Sequence, residues 1–404
     1  MRLIHAAVRL LTTALTMAVV SATGVTSNGT RCLMYLTGQH PIIPAFDLAS
    51  SITHVNLAFL TSDVFTAETP PNDYPLFMSV DQVRAGFKPG TKVLVAIGGW
   101  GDWKGFQEAA LTPESRKKWA EQVKIMVDRT GADGVDIDWE YPGSVDCLPE
   151  IALGRGNRDD YKEIPNSERE WEIEAFVALL QQLRAVLGKN KLLTIATPGK
   201  EVDLMAFTTA TLPRIIRAVD FINVMTYDMM NRRDTTVQHH SGIADSRDAI
   251  QRYVDRGAKP HQLNLGLGYY VKWFLTTDGC DPDDPIGCPT LLLEDPNTGA
   301  DLGRTGGFSY HDETPSEVVD SFQRAQNEGI YTADGSYGYW DKQETRWWSF
   351  DTPKVIESKM AELVGEMGLG GAFAWGLGED APDFDHLEAT INGLNKLKGR
   401  KVEL

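Results

Sequence analysis

The 404-residue sequence has few basic residues for its length: 39 Lys and Arg stand against 56 Asp and Glu, so the formal net charge is −17. Nucleic acids and anionic membrane surfaces are bound by positively charged patches, and this deficit therefore argues against either as a partner. Long apolar runs are scarce as well. The run LLTTALTMAVV at residues 10–20 is too short to cross a bilayer, and no other stretch resembles a membrane span.

That N-terminal run has the surroundings of a secretory signal peptide. Arg2 and Arg9 precede it, and Val20-Ser21-Ala22 offers a small-residue cleavage site after it. We therefore predict a signal peptide at residues 1–22 and a secreted, extracellular protein, with an N-terminal anchor or a buried helix as the alternative. Asn28-Gly29-Thr30 is an N-glycosylation sequon, which a eukaryotic secretory route would use.

Cysteines are few, and their number is even: Cys32, Cys147, Cys280 and Cys288. In a secreted protein an even count favours disulfides over free thiols, and the spacings match no zinc-site pattern, so we expect no metal. Cys280 and Cys288 bracket the turn-rich segment DPDDPIG, which favours a local disulfide. A Cys32–Cys147 bridge would then follow by elimination.

What the sequence does contain is a series of eight short apolar runs separated by longer polar or amphipathic segments. Apolar residues recur at helical spacing in four of these segments, at residues 115–130, 168–188, 245–257 and 353–368. Strands that alternate with helices predict an α/β fold, and eight repeats close a TIM (β/α)8 barrel. The eight predicted strands are CLMYLT (32–37), ITHVNLAFL (52–60), TKVLVAIG (91–98), GVDIDW (134–139), KLLTIAT (191–197), DFINVMTY (220–227), QLNLGLGYY (262–270) and GGAFAWGL (370–377).

The connection between the seventh and eighth strands is far longer than one helix requires. Its last part, residues 353–368, suffices for the helix, whereas residues 272–346 are rich in Gly, Asp, Thr, Tyr and Trp. A stretch of this length predicts a small α+β insertion between strand 7 and helix 7. The catalytic barrel would then comprise residues 23–271 and 347–404, and the insertion residues 272–346.

The stretch DGVDIDWEYP, residues 133–142, places carboxylates on alternate positions of a strand. Side chains alternate between faces, so Asp136, Asp138 and Glu140 share one face and apolar residues share the other. A calcium loop would have Gly, Asn or Ser between the acids, and a solvated face would need no apolar partners. Carboxylates that face inward repel one another and are poorly solvated, so at least one should have a raised pKa, as a general acid needs. Glu140 falls at the carboxyl end of the strand, where barrel active sites form, and Asp133 falls at its beginning.

Several motifs together resemble family 18 of the glycoside hydrolases, the chitinases. DGVDIDWEYP resembles the DxxDxDxE signature of that family, and VMTYDM (224–229) resembles its sixth-strand MTYD motif. VAIGGW (95–100) resembles the third-strand SxGG segment, with Ala96 in place of Ser, and AFAWGL (372–377) resembles the eighth strand. GLGYYVKWF (266–274) resembles the seventh-strand pattern GxPFYGRxW, with Lys272 in place of Arg. Many members carry an α+β module where the predicted insertion lies.

The resemblance implies a catalytic role for four residues. Glu140 would protonate the glycosidic oxygen and later activate water, while the acetamido carbonyl of the substrate acts as the nucleophile. Asp138 would hold the acetamide N–H and stabilise the oxazolinium ion, with Asp136 as its partner. Tyr227 would donate a hydrogen bond to the acetamide oxygen. No cofactor is implied, because the electrophile and the nucleophile both belong to the substrate.

The resemblance also implies a set of sugar-binding residues around this centre. Trp375 would form the floor of the central sugar site, Trp100 would stack on the leaving-group sugar, and Asp228 would contact the distorted sugar. For the aromatic positions, packing in the core is the alternative, and Trp340, Trp347 and Trp348 of the insertion could serve either purpose. The substrate-binding set is Tyr35, Phe59, Trp100, Tyr141, Met225, Asp228, Tyr270 and Trp375, and the supporting set is Asp133, Gly98 and Gly99.

We therefore predict a monomeric chitinase that acts on chitin or chito-oligosaccharides. One alternative is a chitin-binding lectin of the same family, but such proteins have lost the acid, whereas all three acidic residues are present here. The other is an endo-β-N-acetylglucosaminidase acting on N-glycans, which shares the acidic signature. The WEYP continuation, the Tyr-Asp pair and the insertion favour the chitinase.

Overall fold

A computed structural model describes residues 29–143, 168–296 and 299–400 of the chain. The predicted signal peptide, the sequon residue Asn28 and Cys147 lie outside the described residues. Within these ranges, no helix combines the length and the apolar character that crossing a membrane requires.

Eight parallel strands close into a barrel, which confirms the predicted fold class. Each of the eight predicted apolar runs overlaps one of them. The strands are β1 (Arg31–Thr37), β2 (His54–Leu60), β3 (Lys92–Gly98), β4 (Gly134–Asp138), β5 (Leu192–Pro198), β6 (Phe221–Met225), β7 (Leu263–Gly268) and β13 (Gly371–Trp375). Neighbours pair in chain order from β1 to β7, and β13 closes the barrel between β7 and β1.

Helices surround the barrel and begin and end at clear sequence signals. The fourth helix begins after Thr112, whose hydroxyl accepts from the Ser115 amide while the Ser115 hydroxyl accepts from the Thr112 amide; it ends at Gly131, which has φ 72°. The predicted helix 353–368 is α-helical only at its start, and a π-helix follows at Met360–Gly365. The helices are α1 (Phe46–Ala49), α2 (Val80–Ala85), α3 (Lys104–Ala110), α4 (Pro113–Thr130), α5 (Trp171–Leu187), α6 (Leu212–Ala218), α7 (Ile243–Asp255), α8 (Val319–Glu328), α9 (Pro353–Lys359) and α10 (Asp385–Arg400).

A second, antiparallel sheet lies between β7 and α9, in the stretch predicted as the insertion. Its five strands run in the order β10–β11–β12–β8–β9 across the sheet, with bounds β8 (Tyr270–Leu275), β9 (Thr305–Ser309), β10 (Ile330–Tyr331), β11 (Tyr337–Asp341) and β12 (Arg346–Ser349). Trp340, Trp347 and Trp348 are buried, and their indole N–H groups donate to Thr276, Gln238 and Ser321 respectively. These tryptophans therefore belong to the core rather than to a sugar-binding surface. The exact domain boundaries stay predictions.

The alternation read from DGVDIDWEYP is present in β4. Val135, Ile137 and Trp139 pack in the layer between the barrel and the helices, where Trp139 stacks on Phe106 of α3 with ring centroids 5.2 Å apart. The side chain of Asp136 points the other way, toward the barrel interior. One apolar face and one acidic face thus share a five-residue strand.

The cysteines behave only partly as predicted. The disulfide between Cys280 and Cys288 is present, which confirms the local bridge. Cys32 instead carries a free thiol that is buried among apolar side chains. The Cys32–Cys147 bridge is therefore not formed. Elimination failed because Cys32 lies near the amino end of β1, enclosed by the helical layer, and a buried thiol behaves there as a small apolar residue.

Candidate active site

A cleft of about 960 Å³ lies at the carboxyl ends of the barrel strands. The barrel supplies most of its lining, and the second sheet adds one wall through residues such as Lys272, Phe274 and Thr305. The structure brings most of the predicted site residues together in this lining. They are Phe59, Gly98, Gly99, Trp100, Asp138, Glu140, Tyr141, Met225, Tyr227, Asp228, Tyr270 and Trp375.

Asp136 lies below the cleft and is fully buried. Its carboxylate accepts hydrogen bonds from the Tyr35 hydroxyl at 2.6 Å, from the Asn223 amide at 3.2 Å and from the Thr194 hydroxyl. Burial raises the pKa of Asp136 to about 6, against the lowering effect of these hydrogen bonds. Asp136 is thus a titrating group near neutral pH, held in one orientation by three donors.

Tyr35 lies deeper than the sequence predicted. It is 1% exposed, is not among the residues that line the cleft, and bonds to Asp136. Its ring packs 5.7 Å from that of Trp375, which does line the cleft. The assignment of Tyr35 to the substrate-binding set is therefore corrected: its hydroxyl supports Asp136 and its ring supports the floor.

Asp138 follows two residues later on the same face and reaches the cleft. Burial, together with the charges of Glu140 and Asp136, raises its pKa well above the ordinary value for an aspartate. Its side-chain oxygen Oδ1 is buried and receives no hydrogen bond from the part of the chain that the structure describes. A buried acceptor without a donor is costly, so this oxygen is prepared for a donor that a ligand brings.

Gly98 and Gly99 allow β3 to approach Asp138 closely. The Gly99 amide donates to the Asp138 carbonyl oxygen at 2.8 Å. Gly98 has φ 114°, and a Cβ atom there would lie 2.2 Å from the same carbonyl oxygen. Only glycine fits this position, and the supporting role of the pair stays a prediction.

Glu140 lies two residues beyond the end of β4, directly after the buried Trp139, and is half-buried on the cleft wall. Tyr141 follows it in the lining, next to the aromatic cluster below the cleft. Asp136 and Asp138 lie on one face of β4, and Glu140 follows two residues beyond the strand; the three lead from the buried Asp136 to Asp138 and Glu140 in the cleft. Burial raises the pKa of Asp136 and of Asp138, and the like charges of Glu140 and Asp136 raise that of Asp138 further, so at least one carboxyl has the raised pKa predicted from the sequence.

Tyr227 and Asp228 follow β6 and also line the cleft. Burial, followed by the nearby acidic residues, raises the pKa of Tyr227 well above its ordinary value, so the hydroxyl keeps its proton. Burial alone would raise the pKa of Asp228, but Lys272 at 2.7 Å and the Tyr270 hydroxyl at 2.9 Å lower it overall. Lys272, where the family pattern has arginine, thus forms an ion pair with Asp228 of the barrel.

The cleft floor is aromatic. Trp375, at the end of β13, stacks on Phe59 with ring centroids 5.5 Å apart and planes inclined by 19°. Trp100 also lines the cleft and is 60% exposed, so its ring is accessible to a ligand. The floor and Trp100 therefore offer flat apolar faces to a ligand.

Asp133 is far from this chemistry, at the amino end of β4, as its place in the sequence predicted. Its carboxylate contacts Arg84 at 2.8 Å, Lys92 at 3.2 Å and the Val93 amide at 3.0 Å. Burial would raise its pKa, but the Val93 and Arg84 hydrogen bonds lower it overall. Asp133 therefore fastens the beginning of the strand.

Sequence reasoning missed Thr194 and Asn223, the polar partners of Asp136. Thr194 pairs with Asp136 in the register of β4 and β5, and Asn223 lies on β6. The available signal was a polar residue inside an otherwise apolar strand run such as KLLTIAT. In a barrel interior, such a residue needs a hydrogen-bonding partner.

One group in the described chain has the spacing of a metal site: Asp380, Asp385 and His386. The His386 ring Nδ1 lies 2.7 Å from Asp380 and 3.3 Å from Asp385. Burial lowers the pKa of His386, but the two carboxylates raise it to about 9. The ring and the two carboxylates therefore pair with one another beside the start of α10.

A closed parallel barrel whose fourth strand carries a line of carboxylates into a cleft defines the class of barrel-type glycoside hydrolases. Within that class, the chain belongs to family 18 of the glycosyl hydrolases, because the sequence model of that family matches residues 27–380. This confirms the resemblance seen in the motifs.

Two curated relatives and one solved structure illustrate the match. Chitinase 63 of Streptomyces plicatus is 26% identical over 384 residues, which are 86% of this chain and 56% of that protein. Chitotriosidase-1 of Mus musculus is 28% identical over 363 residues, which are 82% of this chain and 67% of that protein. The chain thus spans little more than half the length of the Streptomyces relative. A chitinase from Rhizomucor miehei shares the fold, with a TM-score of 0.68 at 17% identity over 90% of this chain and 99% of that one.

Proposed function

We propose that this protein is a chitinase that hydrolyses β-1,4 bonds between N-acetylglucosamine units, with retention of anomeric configuration. Family membership and the names of the relatives support chitin as the substrate. The observation that carries the proposal is Asp138, a buried carboxyl beside Glu140 whose Oδ1 receives no donor from the described chain. The acetamido N–H of an N-acetylglucosamine unit is the donor that this oxygen lacks.

In the first step, Glu140 transfers its proton to the bridging oxygen of the scissile bond. The acetamido carbonyl oxygen of the same sugar attacks the anomeric carbon, so that the C–O bond breaks and an oxazolinium ion forms. Asp138 binds the N–H of that ion, and its negative charge stabilises the developing cation more than the neutral ground state. Because the substrate supplies its own nucleophile, the protein needs no second carboxylate at the face of the anomeric carbon that is attacked.

In the second step, the Glu140 carboxylate takes a proton from a water molecule, which attacks the anomeric carbon and opens the ring of the oxazolinium ion. Two inversions at one carbon give net retention. The three acidic residues exchange protons as one coupled group during this cycle, so apparent pKa values belong to the group. Burial raises the pKa values of both Asp136 and Asp138, so the two carboxyls share a proton, and the cycle requires Asp138 to be ionised when the cation forms.

The other residues of the cleft orient the substrate. The Tyr227 hydroxyl, which keeps its proton, donates to the acetamido oxygen and aligns it for attack. Trp375 supports the apolar face of the reacting sugar, and Trp100 supports the leaving-group sugar. Held near-attack geometry of this kind lowers the barrier through orientation rather than through added charge.

The test is hydrolysis of a fluorogenic chitobiose derivative between about pH 4 and pH 7, where a carboxyl acid of this kind works. Release of the fluorophore, with the β-anomer appearing first by NMR, is the expected result. Binding of chito-oligosaccharides without release would indicate a lectin instead. Cleavage of a high-mannose glycopeptide in preference to chitin oligomers would indicate an endo-β-N-acetylglucosaminidase.

We also propose that the protein is secreted, glycosylated at Asn28 and monomeric. The basic start, the short apolar run and the small-residue site within residues 1–22 support secretion. Expression in a eukaryotic host should place the protein in the medium with an N-terminus near residue 23, and a glycosidase should reduce its mass. Light scattering of the purified protein measures the oligomeric state.

A further inference from the structure

A fully buried ion pair lies behind the loop that carries Glu140. Arg169 and Glu172 are both 0% exposed, and the guanidinium Nε and Nη2 donate to the two carboxylate oxygens at 2.9 and 2.8 Å. Because removing two charges from water is unfavourable, a buried pair of this kind is weak support for stability. Its contacts beyond the pair indicate what it does.

The Glu172 carboxylate holds the main chain of the loop after β4. The Gly143 amide donates to Oε2 at 2.9 Å, and the Gln107 amide of α3 donates to Oε1 at 2.5 Å. Gly143 is three residues beyond Glu140, and the intervening Pro142 is buried and has a fixed φ. Few torsions therefore separate the anchored amide from the acid.

The same loop is fixed from a second direction. Gly143 has φ 86°, and a Cβ atom on it would lie 2.3 Å from Cγ1 of Ile173 in α5. The loop backbone thus rests directly on the first turn of α5, next to Glu172. Backbone packing and the carboxylate hydrogen bond hold Gly143 in one position.

We infer that Glu172 is a positioning residue for the acid: it fixes the Glu140–Gly143 loop so that the Glu140 carboxyl points at the bridging oxygen. This inference rests on the proposed function. A displacement of about 1 Å at a reacting group lowers catalysis by about 10²-fold, so loss of the anchor should be visible in kinetics.

The experiment compares two substrates in wild type and Glu172→Gln. Arg169 donates to both carboxylate oxygens, so the NH2 of the glutamine faces an N–H of the guanidinium in either orientation, and this contact disturbs the cluster that holds the Gly143 amide. One substrate is chitotriose, whose leaving alcohol needs the proton of Glu140, and the other is a dinitrophenyl chitobioside, whose phenolate leaves without one. We expect kcat/KM to fall by about 10²-fold on chitotriose and by less than about 10-fold on the aryl glycoside. The matched control is Glu174→Gln, an exposed glutamate on the same helix that pairs with Arg214, and it should change neither.

A second variant covers the case in which Glu172→Gln does not fold. Arg169→Met with Glu172→Met removes both charges together, which buried ion pairs often tolerate, and still removes the anchor for Gly143. It should show the same difference between substrates. Equal losses on both substrates, or no loss in the folded Arg169→Met, Glu172→Met variant, would overturn the inference alone. Wild-type protein that cleaves neither substrate would overturn the proposed function, and the inference with it.

Discussion

The buried carboxyl of Asp136 predicts how the stability of the protein should depend on pH. Burial raises its pKa from the ordinary 3.8 to about 6. A carboxyl whose folded-state pKa is raised stabilises the fold below the unfolded pKa, and this contribution is lost as the pH rises through the folded pKa. At about 1.36 kcal/mol per pKa unit, the difference between 3.8 and about 6 corresponds to about 3 kcal/mol.

The substitution Asp136→Asn removes the titration and keeps the shape. We expect the free energy of unfolding of wild type, measured relative to the variant, to fall by about 3 kcal/mol between about pH 3 and pH 7. The pKa of Asp138 is raised in part by the charge of Asp136. Without that charge the variant has a lower Asp138 pKa and loses less stability as the pH rises, which increases the fall of wild type relative to the variant. Urea unfolding followed by tryptophan fluorescence gives both free energies at each pH.

The control is Asp128→Asn, which changes a half-exposed aspartate on α4 and should leave the pH dependence as in wild type. A wild-type-minus-Asp136→Asn difference that stays constant from about pH 3 to pH 7 would refute the reasoning. So would a difference that grows with pH, because that would mean that the folded protein favours the ionised form of Asp136.

Three further predictions concern the cleft. Glu140→Gln should lower hydrolysis of chitin oligomers by at least about 10²-fold with unchanged urea unfolding, and an equally active variant would contradict its role as acid. Gly98→Ala should destabilise the fold by about 3 kcal/mol or more, because its Cβ meets backbone at 2.2 Å, whereas Gly101→Ala, with φ 84° and open space, should lose only about 1 kcal/mol in thermal unfolding. Lys272→Met should raise the pKa of Asp228 and move the acidic limb of the pH–activity profile upward, while Lys272→Arg should leave the limb in place.

The barrel could be predicted from the sequence because its strands are buried on both sides and therefore appear as continuous apolar runs. The order of acids on β4 could be predicted for a related reason, since the side-chain period of a strand is two residues. The face of a strand on which a residue lies does not, however, show how deep in the barrel its side chain lies. Tyr35 lies on the inward face as expected, but the register of β1 with its neighbours places it below the cleft, beside Asp136.

The partners of Asp136 were out of reach for the same reason. Thr194 and Asn223 come from β5 and β6, and only the register of three strands around the barrel shows that their side chains meet one carboxylate. The Cys32–Cys147 pairing failed because a count of cysteines contains no distances. The family resemblance supplied roles for motif residues, but Glu172 lies outside every motif and acts through a backbone amide, which leaves no pattern in the sequence.

The ion pair between Asp228 and Lys272 joins two separately built parts of the molecule, since one residue follows barrel strand β6 and the other belongs to β8 of the second sheet. The position of this wall of the cleft and the pKa of Asp228 therefore depend on each other. A sheet that tilted outward to admit a bulkier polymer would withdraw the ammonium and make Asp228 a weaker acid. A change that widens the cleft at this wall should accordingly also change the pH at which the protein works.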